Sequence, residues 1–192
     1  MNFIQFLTEE KVNLDEIPKG KKEISLFFGR FQPFHVAHLK GITDTLKKYP
    51  KYPVMIGIIK GPESSKDKMK NPLSFDYQKK LIKKSIKGMD NILVYPEPFE
   101  FGFFPYIFKV LRENGYEVKL LVGGKDREPQ YAKWIDELNK FDSVDIKFFA
   151  PDTRHLVSAT QVRETIRNND FKKFKEYTRN LEDEFETLKG FV

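Results

Sequence analysis

The sequence predicts an α/β protein with one doubly wound parallel sheet of about five strands, followed by C-terminal helices. Two observations indicate this fold class. Short apolar runs alternate along the chain with longer segments in which apolar residues recur every three or four positions. The run VMIGII at 54–59 is apolar throughout, as expected of a strand that is covered on both faces. A chain of 192 residues is long enough for one domain with a sizeable core.

The elements can be placed in order along the chain. The apolar runs predict strands at Ile24–Phe28, Val54–Ile59, Asn91–Tyr95, Val118–Val122 and Val144–Phe149. Helical spacing begins at Val36, after Ser74, at Phe103, around Trp134, after Thr160, and in the tail from Phe171 to Val192. Ser74 is a favourable N-cap, and its helix should run to about Gly88. We therefore expect a domain over residues 21–192 whose C-terminal helices occupy 159–190, with an arm at 1–20.

Composition and charge narrow the class of protein. The net charge of +6 favours anionic ligands, among which nucleotides and nucleic acids are the main alternatives. Lysines are spread along the chain and no nucleic-acid-binding motif appears, so nucleic acid is the less favoured partner. The absence of cysteine excludes disulfides, thiolate metal sites and a cysteine nucleophile, and it fits a reducing cytoplasm. We expect a cytoplasmic protein without a membrane segment, whose oligomeric state the sequence leaves open.

The stretch LFFGRFQPFHVAHL at 26–39 is the most informative part of the chain. It passes from a strand through a turn into a helix, and two of the three histidines, His35 and His38, lie at that junction. The first turn of a helix presents unpaired N–H groups and the positive end of the helix dipole, which suit a phosphate. Two imidazoles can donate to phosphoryl oxygens, and Arg30 can grip a phosphate with two hydrogen bonds. An isolated His-x-x-His pair is more often structural, so the context decides between the two interpretations.

That context resembles a known family. GRFQPFHVAH is similar to the GRFxPxHxGH signature of the nucleotidyltransferase superfamily, in the form found in archaeal-type nicotinamide-mononucleotide (NMN) adenylyltransferases. The resemblance implies a Rossmann-like sheet of order 3-2-1-4-5 in which His35, His38 and Arg30 are catalytic. The family's glycine between the histidines is Ala37 here, which adds a methyl group where phosphates approach the backbone. The nucleotide-binding residues implied in this segment are Gly29, Phe31, Phe34 and Ala37.

A second segment, LVSATQVR at 156–163, resembles the ISxTxxR signature that forms the other phosphate clamp of the superfamily. Ser158 and Thr160 are hydroxyl residues at the start of a helix, where they can cap it and face an anion. The resemblance adds Ser158, Ala159 and Thr160 to the nucleotide site. It also makes Arg163, expected on the first helical turn, a catalytic residue that reaches the outer phosphates. The two signatures lie at opposite ends of the domain in the expected order.

Two further segments point to the acceptor side of such a site. The segment GGKD at 123–126, followed by Trp134, resembles the acceptor-pocket segment of bacterial nicotinate-mononucleotide adenylyltransferases, which implies that Gly124, Asp126 and Trp134 bind the acceptor. The alternative is that Asp126 caps a helix whose Trp134 packs into the core. NPLS at 71–74 resembles the end of a ligand-binding loop in the archaeal enzymes. Four lysines precede this segment: Lys60, Lys66, Lys68 and Lys70. They either close over a phosphate or are merely solvated.

The resemblance predicts direct transfer of AMP from ATP to a mononucleotide phosphate, which is NMN in the leading interpretation. No protein metal site is evident, so Mg²⁺ is expected to be held mainly by the triphosphate. One alternative is a cytidylyl- or adenylyltransferase that uses another phosphorylated acceptor. Another is a non-catalytic nucleotide-binding virion protein, because MNFIQFLTEE resembles the capsid-targeting peptides of T4-like bacteriophages, with a cleavage site at Leu7-Thr8-Glu9. The arm could equally be a short amphipathic segment docked on the domain.

Overall fold

A computed structural model of the protein describes residues 22–60, 67–100, 103–140, 143–153 and 156–192. Five parallel strands form one sheet in the order β3-β2-β1-β4-β5, which confirms both the predicted fold class and the predicted strand order. The strands are β1 Lys22–Gly29, β2 Val54–Ile58, β3 Ile92–Val94, β4 Tyr116–Val122 and β5 Lys147–Phe149. The predicted arm at 1–20, Lys66 and His155 lie outside the described residues.

Seven α-helices occur in the described part of the chain. They are α1 Val36–Lys48, α2 Phe75–Ser85, α3 Phe104–Glu113, α4 Glu128–Asn139, α5 Ala159–Arg167, α6 Phe171–Tyr177 and α7 Phe185–Lys189. Ser74 caps α2 as predicted, because its side chain accepts a hydrogen bond from the Tyr77 amide. None of the helices in these ranges is long and apolar enough to cross a membrane.

The first four strands differ from their predicted bounds by one or two residues at an end, and two other boundaries differ for a visible reason. The helix after Ser74 ends at Ser85 rather than near Gly88, because Ile86 already leaves helical geometry as its C-cap. The fifth strand begins at Lys147 rather than at Val144. The Val144 amide is bound by the side-chain oxygen of Asn139 at 3.0 Å, so this donor is not free to extend the ladder with β4.

The core lies on both faces of the sheet, because side chains of a strand alternate between the faces. On one face, α1 and α2 cover Val54, Ile56 and Ile58 of β2. On the other face, α3 and α4 cover Ile24 and Leu26 of β1 together with their neighbours. This double cover explains why the run at 54–58 is apolar at every position.

The C-terminal helices form a third apolar cluster, with α5 and α2, that includes Phe174, Phe185 and Leu188. A buried carboxylate fastens them to α2. Glu184 accepts hydrogen bonds from the Tyr77 hydroxyl at 2.8 Å and from the Lys84 ammonium at 2.6 Å. Burial alone would raise the pKa of Glu184, but the hydrogen bonds from Lys84, Lys80 and Tyr77 lower it to about 2.

Candidate functional site

The site lies where the strand order reverses, between β1 and β4. The chain leaves β1 in the direction of β2 and β3, whereas β4 leads to β5 on the other side. Phe27 pairs with Val122, so the turn after β1 and the Gly123-Gly124 segment after β4 emerge side by side. Ligands of open α/β sheets bind in the crevice at such a switch point.

The turn after β1 brings the two histidines together at the start of α1. His35 is the N-cap of α1 and His38 is its third residue. Their rings are stacked, with centroids 3.7 Å apart. The His35 amide donates to Nδ1 of His38 at 3.3 Å. A neutral His38 whose Nδ1 accepts must carry its proton on Nε2, so it has an N–H donor available on the far side of the ring.

Burial keeps this pair of histidines neutral. His35 is 6% exposed, and burial lowers its pKa to about 4. The pKa of His38 lies well below its usual value, first because of burial and then because His35 repels a second positive charge. The rings of Phe31 and Phe34 contact His38 with centroids at 5.0 and 5.2 Å, and they provide much of the apolar surrounding. At neutral pH the site therefore offers neutral imidazole donors.

The aromatic rings predicted to bind the nucleotide belong to the core. Phe31 and Phe34 are 3% and 1% exposed, so their rings are not available to stack on a base. Phe31 has a φ of 43°, an uncommon conformation for a residue with a side chain, and this conformation turns the chain sharply after Gly29. Ala37 is also buried. What this turn leaves accessible is backbone, together with the exposed side chain of Arg30.

The second signature forms the start of α5. Ser158 caps the helix by accepting from the Gln161 amide at 3.3 Å, and Gln161 binds the Ser158 amide in return at 2.8 Å. Val36 of α1 packs against the apolar cluster that contains Val157 and Val162, so the beginnings of the two helices are neighbours. The two predicted phosphate clamps therefore lie next to each other.

Arg163 occupies a different position from the one predicted. It was expected on the first turn of the helix, but Ala159 is the first helical residue and Arg163 is the fifth. Its side chain is 6% exposed and is hydrogen-bonded to the Gln32 carbonyl and, at 3.2 Å, to the Thr160 hydroxyl. Burial lowers its pKa, and the charge of Arg167 and that of Arg30 lower it further. The guanidinium group is thus buried against the turn that follows β1 and is not in open solvent.

Gln32 is a residue of the site that sequence reasoning missed. Its carboxamide accepts from the Leu73 amide at 2.9 Å and donates to the Leu73 carbonyl at 3.0 Å. Gln78 donates to the same carbonyl at 2.7 Å. The available signal was a polar residue within the aromatic run FQPF, because such a residue needs hydrogen-bond partners when it is buried.

On the acceptor side, the structure separates the predicted residues. Asp126 lies in a short 3-10 turn with its side chain 78% exposed and 3.5 Å from Arg127. It does not cap α4, because Arg127 is the N-cap of that helix. Gly124 allows the Asp126 carboxylate to fold against its Cα, where a methyl group would collide with it.

Trp134 is partly buried in an aromatic group on the same side of the sheet. Its ring is stacked with Tyr131 at 5.5 Å and with Phe28 at 6.5 Å, and it meets the exposed Phe103 edge-on at 6.0 Å. These contacts agree with the interpretation that Trp134 packs into the core. Trp134 as a whole is half-buried, and its neighbour Phe103 is 46% exposed.

The site is rich in donors for anions and poor in ligands for metal. In the described ranges, no group of three or more histidine, aspartate or glutamate side chains could hold a metal ion. Of the lysines predicted to close over phosphate, Lys60 is described and exposed, and Lys70 pairs with Asp67 at 3.1 Å. Asp67 also adds negative charge near Arg163.

Comparisons with known proteins agree with this geometry. A family model described as cytidylyltransferase-like matches residues 26–165. Nicotinamide-nucleotide adenylyltransferase 1 of Sulfolobus acidocaldarius is 24% identical over 174 residues, which cover 86% of this chain and 90% of that protein.

Two solved structures share the fold. The nicotinic acid mononucleotide adenylyltransferase of Plasmodium falciparum, complexed with APC, aligns with a TM-score of 0.59 at 12% identity, over 89% of this chain and 98% of that one. A bifunctional NMN adenylyltransferase/ADP ribose pyrophosphatase of Francisella tularensis, complexed with AMP and a manganese ion, aligns with a TM-score of 0.51 at 23% identity. That alignment covers 77% of this chain and 42% of the Francisella protein.

Proposed function

The chain belongs to the cytidylyltransferase-like family and is a nucleotidyltransferase, and on that premise we propose that it transfers AMP from ATP to NMN. The products are NAD and pyrophosphate. The observation that carries this proposal is the junction of the two signature segments: Arg163 of the second donates to the Gln32 carbonyl of the first. Such a junction supports one continuous site for the phosphates at the sheet's switch point.

In the proposed mechanism, a phosphate oxygen of NMN attacks the α-phosphorus of ATP in line. A new phosphorus–oxygen bond forms as the bond from the α-phosphorus to the bridging oxygen breaks, and pyrophosphate leaves. The chain needs no covalent intermediate, so it acts by positioning the phosphates and stabilising charge. His38 donates from Nε2 to an α-phosphoryl oxygen, where negative charge develops, and the first-turn amides of α1 support it.

The cationic residues bind the triphosphate. Arg30 is exposed at the mouth of the turn and can contact phosphate directly. Arg163 provides a fixed positive charge behind the same turn. The donors of the site suit phosphate oxygens rather than a bare cation, so we propose that Mg²⁺ enters with the triphosphate and neutralises part of its charge.

The first test is product formation by the purified protein. Pyrophosphate release is measured with Mg²⁺ and either ATP or CTP, with and without NMN, and the products are identified by mass spectrometry. NAD from ATP plus NMN is the expected product. Product with CTP only, or with ATP and a different phosphorylated acceptor, would favour the alternative function, which the cytidylyltransferase-like family description also supports.

The proposed acceptor site is tested separately at Trp134. Because the half-buried indole offers a flat surface to a pyridine ring, we expect Trp134→Leu to raise KM for NMN about tenfold. Trp134→Phe keeps an aromatic face and serves as the control, with a change of less than about threefold. If Trp134→Leu raised KM for ATP and for NMN equally, its role would be structural and the acceptor would bind elsewhere.

A further inference from the structure

The turn at residues 29–33, here called the phosphate turn, is held by hydrogen bonds to two residues that lie between β2 and α2 in the sequence, Ile59 and Leu73. At its start, the Gly29 carbonyl accepts from the Ile59 amide at 2.9 Å, where the chain leaves β2. At its centre, the Gln32 carboxamide binds both the amide and the carbonyl of Leu73, just before α2. The Gln32 side chain therefore joins the phosphate turn to the residue just before the N-cap of α2.

Gln32 also connects the phosphate turn to α5 through its main chain. Its carbonyl accepts from Nη1 of Arg163, and Thr160 accepts from Nη2 of the same guanidinium group. Within the ranges that the structure describes, no carboxylate lies at ion-pair distance from Arg163, and its Nε is buried without a hydrogen-bond partner. The position of this buried charge thus depends on two neutral oxygens, one of which is the Gln32 carbonyl.

Leu73 thus positions Gln32, and Gln32 in turn positions Arg163. The two bonds from Leu73 fix the carboxamide, and the carboxamide is on the residue whose carbonyl orients Arg163. Gln32 is 7% exposed, so water does not readily replace either bond. A change in the side chain of Gln32 is therefore expected to move the carbonyl and, with it, the guanidinium group.

We propose that Gln32 is a positioning residue for nucleotidyl transfer, which sets the place of the Arg163 guanidinium by locking the phosphate turn to Leu73. This inference rests on the proposed function for the reaction it serves, but its effect on nucleotide binding does not depend on the identity of the acceptor.

The chain provides a matched control for the test. Gln78 is another buried glutamine that donates to the Leu73 carbonyl, but it lies on α2, and this local bond is the only one that its side chain makes to the described residues. Gln32→Met and Gln78→Met both remove a bond to the Leu73 carbonyl and keep a side chain of similar volume, and Gln32→Met also removes the bond from the Leu73 amide. Thermal unfolding of both variants shows whether their losses of stability are comparable.

Three measurements separate positioning from a structural effect. Affinity for a non-hydrolysable ATP analogue is expected to fall about tenfold in Gln32→Met and less than about twofold in Gln78→Met. In turnover, Gln32→Met should lower kcat between about tenfold and a hundredfold while KM for the acceptor stays within about threefold. In an Arg163→Lys background, which lacks the planar fork, Gln32→Met should add less than about threefold.

The outcomes are distinct from those of the function test. If the wild-type protein bound the ATP analogue but made no NAD, the acceptor proposal would fail. The affinities of Gln32→Met and Gln78→Met for the analogue would still test the positioning role of Gln32. Equal losses of nucleotide affinity in Gln32→Met and Gln78→Met would overturn the positioning role. So would additive effects of Gln32→Met and Arg163→Lys, because two residues acting as one unit are not additive.

Discussion

Protonation of the buried histidine pair should make the protein less stable in mild acid. An unfolded histidine has a pKa near 6.5, whereas burial lowers the pKa of His35 to about 4. Between these values the unfolded chain binds a proton that the folded protein does not bind. The stability conferred by the neutral ring is therefore complete above about pH 6.5 and falls as the pH drops towards 4.

The size of the effect follows from the two pKa values. At pH 5, an unfolded His35 is almost fully protonated and the folded one is about one-tenth protonated, which corresponds to about 2 kcal/mol of lost stability relative to pH 8. His38 acts in the same direction, because its pKa is also lowered by burial and by His35. Removal of His35 should remove its share of this pH dependence.

The assay compares urea unfolding at pH 5 and pH 8 for the wild-type protein and for His35→Gln. We expect the difference between the two pH values to be about 2 kcal/mol larger in the wild type. The carboxylates titrate alike in both proteins, so they cancel in this comparison. His155→Gln, which removes the one histidine outside the signature segments, is the histidine control. If the wild type and His35→Gln lost the same stability on acidification, the ring would not be held neutral by burial.

The remaining predictions concern turnover and stability. His38→Ala should lower kcat at least ~100-fold with the fold intact by circular dichroism, because it removes the Nε2–H donor from the developing charge; unchanged turnover would remove His38 from the mechanism. Glu184→Gln should lower the free energy of unfolding in urea by about 3 kcal/mol, since Lys84 and Tyr77 lose a buried carboxylate. The exposed Glu186, whose one ion pair within the described ranges is with Lys189, is its control, and Glu186→Gln should change stability by less than about 0.5 kcal/mol; equal losses would contradict the structural role of Glu184.

The sheet was predictable from the sequence because its determinants are local. Each strand is a short apolar run, and the helix cap at Ser74 depends on a residue three positions away. The same locality explains the correct position of His35 and His38 at a helix start, because a strand, a turn and a helix follow one another within the printed motif. The strand order came from the resemblance to a family rather than from these patterns.

What the sequence did not reveal depends on contacts between distant residues. Arg163 is 131 positions from Gln32, and the hydrogen bond between them turns an expected surface guanidinium into a buried one. Leu73 is 41 positions from Gln32, so the role of that glutamine could not be read from its neighbours. Phe31 and Phe34 lie in the motif, but only the tertiary structure shows that their rings enclose His38.

In the proposed mechanism, the burial of the histidines also separates two tasks that a single charged residue would combine. Cationic groups attract the triphosphate in the ground state, and Arg30 and Arg163 provide that charge around the phosphate turn. A neutral imidazole binds a ground-state phosphate only modestly, but its N–H bond strengthens as negative charge grows on the oxygen it contacts. An imidazolium at His38 would bind substrate and transition state more equally. In that mechanism, the aromatic enclosure by Phe31 and Phe34 would serve catalysis although neither ring is accessible to a ligand, since it keeps the donor neutral at the pH of the reaction.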